Sequence, residues 1–180
     1  TIDALTGASI DDNVAPGAPI CHFAYGAEGR VTATLLQKGG GCENVSSQYS
    51  LPDVALGADR DLEGVRTAIL HGVWRAQGLG CAPGIIGVCV GSDRAGGYAE
   101  AKRQLLRSLD DTAPEPSLAA LEQRILTESA TLVIGPMGMG GKTTLLGVKI
   151  GGTARLPASF FVTIAYMCWA CRRHTITVEV

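Results

Sequence analysis

The apolar positions Leu62, Val65, Ile69, Leu70 and Val73 recur in steps of three and four, which predicts a helix over 59–77 with Asp59 or Asp61 as its cap. The same period in Leu118, Leu121, Ile125 and Leu126 predicts a helix from Ser117 to about Leu132, entered through the turn Pro114-Glu115-Pro116. Tyr98 to Leu109 reads as another helix, basic on one face through Lys102, Arg103 and Arg107. Elsewhere the pattern changes. Arg30 to Gln37 alternates β-branched and small residues, as a strand does. Ile85 to Val90 is a continuous apolar run of strand length, and Thr143 to Ile150, Phe160 to Met167 and Thr175 to Val180 read as further strands. Residues 1–20 are polar and turn-rich, with Leu5-Thr6-Gly7, Asp11-Asp12-Asn13 and Pro16-Gly17-Ala18-Pro19. Helices and strands interleave without a regular βαβ rhythm or an internal repeat. The expected fold is therefore α/β or α+β: a mixed sheet flanked by helices, in a single domain whose glycine-rich loops line a cleft.

A length of 180 residues fits one domain, and 46% hydrophobic content is enough for a core. Aromatic residues make up only 5%, so that core is mostly aliphatic. A net charge of -2 gives no electrostatic footprint for nucleic acid. No apolar run is long enough to span a membrane and no signal peptide opens the chain, so no membrane partner is expected and the cytoplasm is the expected compartment. Six cysteines in a chain of this length do not make a disulfide scaffold; a reducing compartment leaves them core, metal or cluster roles. The chain opens on Thr1 and reads as a fragment or a processed piece of a longer domain.

The 24 glycines gather in blocks: Lys38-Gly39-Gly40-Gly41-Cys42-Glu43-Asn44, then Gly80-Cys81-Ala82-Pro83-Gly84, then Gly135-Pro136-Met137-Gly138-Met139-Gly140-Gly141-Lys142-Thr143-Thr144. Glycine lets backbone N–H groups approach an anion or a cofactor, so such blocks suggest a backbone-lined pocket. Gly141-Lys142-Thr143 resembles the end of a phosphate-binding loop, but that motif needs glycine where Pro136 stands and a helix where a β-like run follows. Cys168-Trp169-Ala170-Cys171 is a lone C-x-x-C; zinc needs a second pair of ligands, and a thioredoxin-like pair belongs at a helix start. Cys21, Cys89 and Cys171 read as small core residues. Cys42 lies in a glycine pocket and stays open. Cys81, among small residues and a proline, has room for a bulky inorganic group of the kind thiolates from distant loops hold. His71 falls within a helical pattern and reads as structural, His22 as strand packing and His174 as exposed.

Taken in order, these blocks, together with Leu5-Thr6-Gly7, Gly17-Ala18-Pro19, His22-Phe23, Pro157-Ala158-Ser159 and Tyr166-Met167-Cys168-Trp169-Ala170, resemble the iron–sulfur-dependent hydro-lyases. Those are the class I fumarases and L(+)-tartrate dehydratases, and the match is to their α subunit or N-terminal region over nearly the whole chain. The resemblance implies reversible addition of water to a dicarboxylate double bond, with a [4Fe–4S] cluster as Lewis acid. It makes Cys81 and Cys168 cluster ligands, and assigns Lys38, Gly39, Gly40, Gly41, Asn44 and Ser159 to substrate binding, with Lys142 and Cys42 behind them. No catalytic residue is assigned. It also implies a β subunit or C-terminal domain as partner, and an oligomer. The family's third cluster cysteine belongs to an upstream Cys-Gln-Asp-Thr-Gly motif absent from this sequence, so residues 1–180 are expected to be a partial domain. Leu156 stands where the family usually has histidine, and Ala82 where it has proline. Two readings from other classes stay open: a non-catalytic association domain of the same fold, and a zinc module at Cys168 and Cys171.

Overall fold

The helix expected over 59–77 runs from Leu62 to Ala76, and Asp61 is its cap: the carboxylate accepts the Gly64 N–H at 2.7 Å, satisfying one of the free donors of the first turn. It is the second helix of the computed structural model, which describes residues 1–11, 14–15 and 17–180; Asp12, Asn13 and Pro16 of the turn-rich opening lie outside the described residues. In chain order the elements are β1 (Arg30–Leu36), α1 (Gly40–Asn44), β2 (Ser47–Ser50), α2 (Leu62–Ala76), β3 (Gly84–Gly91), α3 (Arg94–Gln104), α4 (Pro116–Ser129), β4 (Leu145–Thr153), β5 (Phe161–Met167) and β6 (Arg173–Glu179). They fall in two compact units, Leu35–His174 and Thr1–Thr34 with Thr175–Val180.

The larger unit is built on a four-stranded mixed sheet in the order β2-β5-β3-β4, with β4 parallel to β3 and β5 antiparallel to β2 and β3. Alternation along the strands sends Ile86, Val88, Val148, Ile150, Val162, Ile164 and Tyr166 into one layer, covered by Val65, Ile69 and Val73 of α2 and Leu121 and Ile125 of α4. Ile85, Cys89, Ala165 and Met167 face the other way, against Ala101 of α3 and Leu105. This is the mixed, helix-flanked sheet the sequence leads one to expect. The α3 helix sits close to its face because β3 and α3 meet through glycines. A Cβ on Gly87 would lie 2.1 Å from the Ala101 carbonyl oxygen, and one on Gly97 2.5 Å from Thr163 Oγ1.

Two buried charges bind the segment 105–113 to this frame. Glu122, 2% exposed, accepts from Arg107 at 2.9 Å and from the N–H groups of Ile150 at 2.6 Å and Ala113 at 3.1 Å. Lys149, 4% exposed, donates to the Leu109 carbonyl at 3.0 Å and the Asp111 carboxylate at 3.0 Å, and also to the Asp111 carbonyl.

In the smaller unit β1 and β6 form a two-stranded ribbon, tied at its end by the Val180 N–H on the Gly29 carbonyl at 3.0 Å. Thr32 meets Thr177 at 3.0 Å and Thr34 meets Thr175 at 3.1 Å along one face, while Val31, Ile176 and Val178 on the other are each more than half exposed. No described residue of this unit is buried. Here two expectations fail. Cys21 and His22 are exposed and belong to no strand, because nothing in this unit covers them.

Adding a methyl group at Gly87 must push α3 off the sheet, since the atom it meets is backbone. Gly87→Ala is expected to destabilise the protein by about 3 kcal/mol, the upper end for overpacked cores, read as a lower urea midpoint at unchanged slope.

Candidate functional site

The strand directions place most of the glycine blocks at one end of the sheet. Cys81 precedes β3, the 135–144 block precedes β4, α1 precedes β2, and Cys168 follows β5, which runs antiparallel to β2 and β3. The blocks also touch. The Cys42 thiol, in α1, donates to the Gly80 carbonyl at 3.2 Å. A Cβ on Gly41 would lie 3.0 Å from the Leu79 carbonyl oxygen, and one on Gly78 2.3 Å from that of Met137. The Met137 N–H donates to the Ala82 carbonyl at 2.8 Å. The loop 77–83 is thus held between the other two blocks.

Tyr166 is the centre of this arrangement. Its ring lies against the backbone on both sides of Cys81: a Cβ would come within 2.5 Å of Cε1 at Gly80 and within 2.1 Å of Cζ at Gly84. Its N–H donates to Ser46 Oγ at 3.2 Å, which in turn donates to the Cys42 carbonyl at 2.9 Å. Cys168 stands two residues further on. Cys42, Cys81 and Cys168 therefore share one neighbourhood. Burial first, then these three cysteines, push the Tyr166 hydroxyl far above the ordinary phenol range. Burial and the adjacent Cys168 thiol push Cys42 up, against the opposing pull of Lys38. The convergence of Cys42 could not be found from spacing, because it depends on the antiparallel pairing of β2 with β5.

Only 8% of the Lys38 side chain is exposed, and burial lowers its pKa against the influence of Glu43. Its ammonium donates to Glu43 at 2.6 Å and to Ser46 Oγ at 3.2 Å. Lys102 of α3, unremarked in the sequence beyond its basic face, donates to the other Glu43 oxygen at 2.6 Å. Burial works to raise the Glu43 carboxyl, but the bonds from Lys102 and Lys38 outweigh it and hold it below the usual carboxylate range. Among the described residues the N–H groups of Gly39, Gly40, Gly41 and Cys42 have no backbone acceptor, and Asn44 lines an adjoining cavity of about 460 Å³ with Gly41, Arg75 and Leu79. A larger cavity of about 570 Å³ lies by α3 and α4, among Arg103, Arg107, Asp111 and Glu115, and none of Cys42, Cys81 and Cys168 lines it. In the third block some N–H groups are used locally, Gly138 on Gly135, Met139 on Pro136, Gly140 on Ile134 and Thr144 on Lys142, while Lys142 is exposed.

Other candidates lie apart. Ser159 and Leu156 precede β5, whose seven residues carry the chain roughly 20 Å from them to Cys168. The Ser159 hydroxyl donates to the Leu156 carbonyl at 3.3 Å. Cys171 packs against the cluster of Ile85, Cys89 and Met167, whereas Cys168 packs against the cluster on the other face of the sheet. Cys89 is a fully buried core residue as expected, and His71 is structural, its Nδ1 2.9 Å from the Tyr49 hydroxyl.

The donor set at this end of the sheet is soft. Among the described residues no three His, Cys, Asp or Glu side chains are already arranged around one metal position. Cys81 and Cys168, both partly open, fit as two thiolates of an iron–sulfur centre, and Cys42 lies beside them. Cys81 adopts φ 56°, and Gln77, Val133 and Met137 in the adjoining loops are also left-handed, at 45°, 52° and 53°. Such backbone persists in non-glycine residues only where packing over-determines it, and it concentrates at functional loops.

The model of the fumarate hydratase (fumerase) family matches residues 5–177. The chain is 48% identical over 182 aligned positions to a putative class I fumarate hydratase of Geobacillus stearothermophilus, an alignment covering 99% of this chain and 35% of that protein. It is 29% identical to a putative L(+)-tartrate dehydratase subunit alpha of Methanocaldococcus jannaschii, over 96% of this chain and 59% of the relative. With the L(+)-tartrate dehydratase subunit alpha of Escherichia coli K12 it shares 30% identity over 65% of its length and 39% of the relative's. The chain thus spans between about a third and three-fifths of the length of these relatives. Matched from its turn-rich opening through β6, and with its glycine and cysteine blocks gathered at one end of the sheet, the chain belongs to the fumarate hydratase family.

Proposed function

We propose that this chain forms the cysteine- and glycine-bearing part of a hydro-lyase that adds water reversibly to a dicarboxylate double bond, on fumarate or a related hydroxy-dicarboxylate. The observation that carries the reading is the gathering of Cys81 and Cys168 with Cys42 of the first glycine block around Tyr166. Cys81 and Cys168 would hold a [4Fe–4S] cluster, which when bound supplies a Lewis acid for the departing hydroxyl. The N–H groups of Gly39, Gly40 and Gly41 offer donors for a substrate carboxylate at no cost in side-chain ordering. Lys38, fixed between Glu43 and Ser46, holds the course of that block and brings positive charge behind it. Tyr166 fills the space beside Gly80 and Gly84 and so supports the Cys81 loop from its inner side. No described helix is long and apolar enough to cross a membrane. A β subunit or a further domain supplies the remaining substrate contacts, in line with the greater length of the relatives and the subunit names two of them carry.

Anaerobic loading with ferrous iron and sulfide tests the ligand assignment. Cys81→Ser and Cys168→Ser are expected to lose most bound iron and sulfide, whereas Cys89→Ser and Cys171→Ser bind like the parent. Equal binding by all four variants, or none by the parent, would overturn the assignment. Hydration of fumarate, followed by its ultraviolet absorbance, should track the iron content.

Glu43 yields a second expectation. Its folded pKa is depressed, so its contribution is present above the unfolded value of 4.5 and is lost as pH falls through the folded one. Because the carboxylate is half exposed, Glu43→Gln should cost about 1 kcal/mol near neutral pH. That difference should vanish in acid below the folded value, when the parent's own carboxylate is protonated. Denaturant titrations of both proteins at the two pH values check it; a difference that persists in acid would mean the effect is not the ion pair.

A further inference from the structure

Tyr166 is the largest fully buried side chain, 2% exposed, yet its hydroxyl makes no hydrogen bond among the described residues. Buried tyrosines ordinarily satisfy that group, and Tyr49 in the same core does so, on His71 at 2.9 Å. The wholly enclosed hydroxyls without a partner are Ser47 Oγ and Thr144 Oγ1; Tyr166 Oη is not one of them, so it opens onto accessible space. Its direction is set by packing. A Cβ on Gly84 would meet Oη at 2.2 Å and Cζ at 2.1 Å, while one on Gly80 would meet Cε1 at 2.5 Å. The hydroxyl end of the ring therefore lies along the backbone that carries Cys81. The ionisable groups that act on it are Cys42, Cys81 and Cys168. Cys81 lies between Gly80 and Gly84 on that backbone and Cys168 stands two residues beyond Tyr166, so their sulfurs are among the acceptors at this end of the ring, and a thiolate bearing charge is a far better acceptor than a thiol.

We propose that Tyr166 Oη donates a hydrogen bond to the ligand sulfur of Cys81 or Cys168 when those thiolates hold iron, and so sets the reduction potential of the centre. The inference rests on the cluster reading above. Tyr166 is a tuning residue, acting through a ligand and not on substrate. Donors to ligand sulfurs stabilise the more negative, reduced state and raise the potential.

The test uses the parent, Tyr166→Phe and Tyr49→Phe, each loaded anaerobically with ferrous iron and sulfide. Phenylalanine keeps the ring against Gly80 and Gly84 and removes only the donor. The expected result is a midpoint potential shifted to more negative values in Tyr166→Phe, with a smaller shift of the iron–sulfur stretching bands on transfer to D2O, and parent-like behaviour in Tyr49→Phe. Should Tyr166→Phe not fold, uniform replacement of tyrosine by 3-fluorotyrosine in the parent makes a stronger donor of nearly the same shape and should move the potential to more positive values. A loaded Tyr166→Phe that matches the parent in potential and isotope shift, or no response to 3-fluorotyrosine, overturns this inference and leaves the cluster reading standing. A parent that takes up no iron overturns both.

Discussion

The contact on which the site depends is that of the Tyr166 ring with bare backbone. An aromatic side chain in the last turn of a strand ordinarily packs on other side chains; here it occupies the volume that Cβ atoms at positions 80 and 84 would fill. Dispersion over the whole face of a ring is large in sum, and it holds the Cys81 loop against β5, two residues short of Cys168. The Ser46 hydroxyl adds the third piece by accepting from the Tyr166 N–H while donating to the Cys42 carbonyl. Three segments remote in sequence are therefore located by one residue, through ring, glycine and main chain.

The sheet supplies what packing alone cannot, a common end. Because β5 runs against β2 and β3, the chain leaving β5 emerges beside the chain entering the other two. A regular βαβ arrangement would have sent the C-terminus of β5 to the opposite rim from Cys81. The antiparallel strand in an otherwise crossover-connected sheet is thus the topological reason that a cysteine after a strand and a cysteine before one can serve the same centre.

Much of this was legible in the sequence, and what was not has physical causes. The α2 and α4 helices announce themselves by period and cap, β3 by its apolar run and β5 by an apolar stretch with Thr163 within it. The α3 helix begins at Arg94, ahead of the expected Tyr98, because Asp93 caps it through the Gly96 N–H, a short-range bond hidden among glycines that weaken a helical pattern. α1 and β2, five and four residues long, carry no periodic signal at all. The separation of Ser159 from Cys168 is implicit in the strand between them, but motif matching treats neighbouring blocks as one place. The role of Glu43 in joining Lys38 to Lys102 needs the α3 helix docked on the sheet, which no local pattern encodes.

At the β4 edge of the sheet, Glu122 and Lys149 are satisfied chiefly by main-chain groups of segments that meet only in the folded state. Half of such an arrangement is worse than none, since a buried charge short of its partners is heavily penalised. The 105–113 segment therefore has no stable place on a partly built sheet. It joins when α4 and β4 are both in position, or it stays in water. The two residues turn what could have been a loosely attached connection into part of the same all-or-none folding unit as the strands that carry the cysteines.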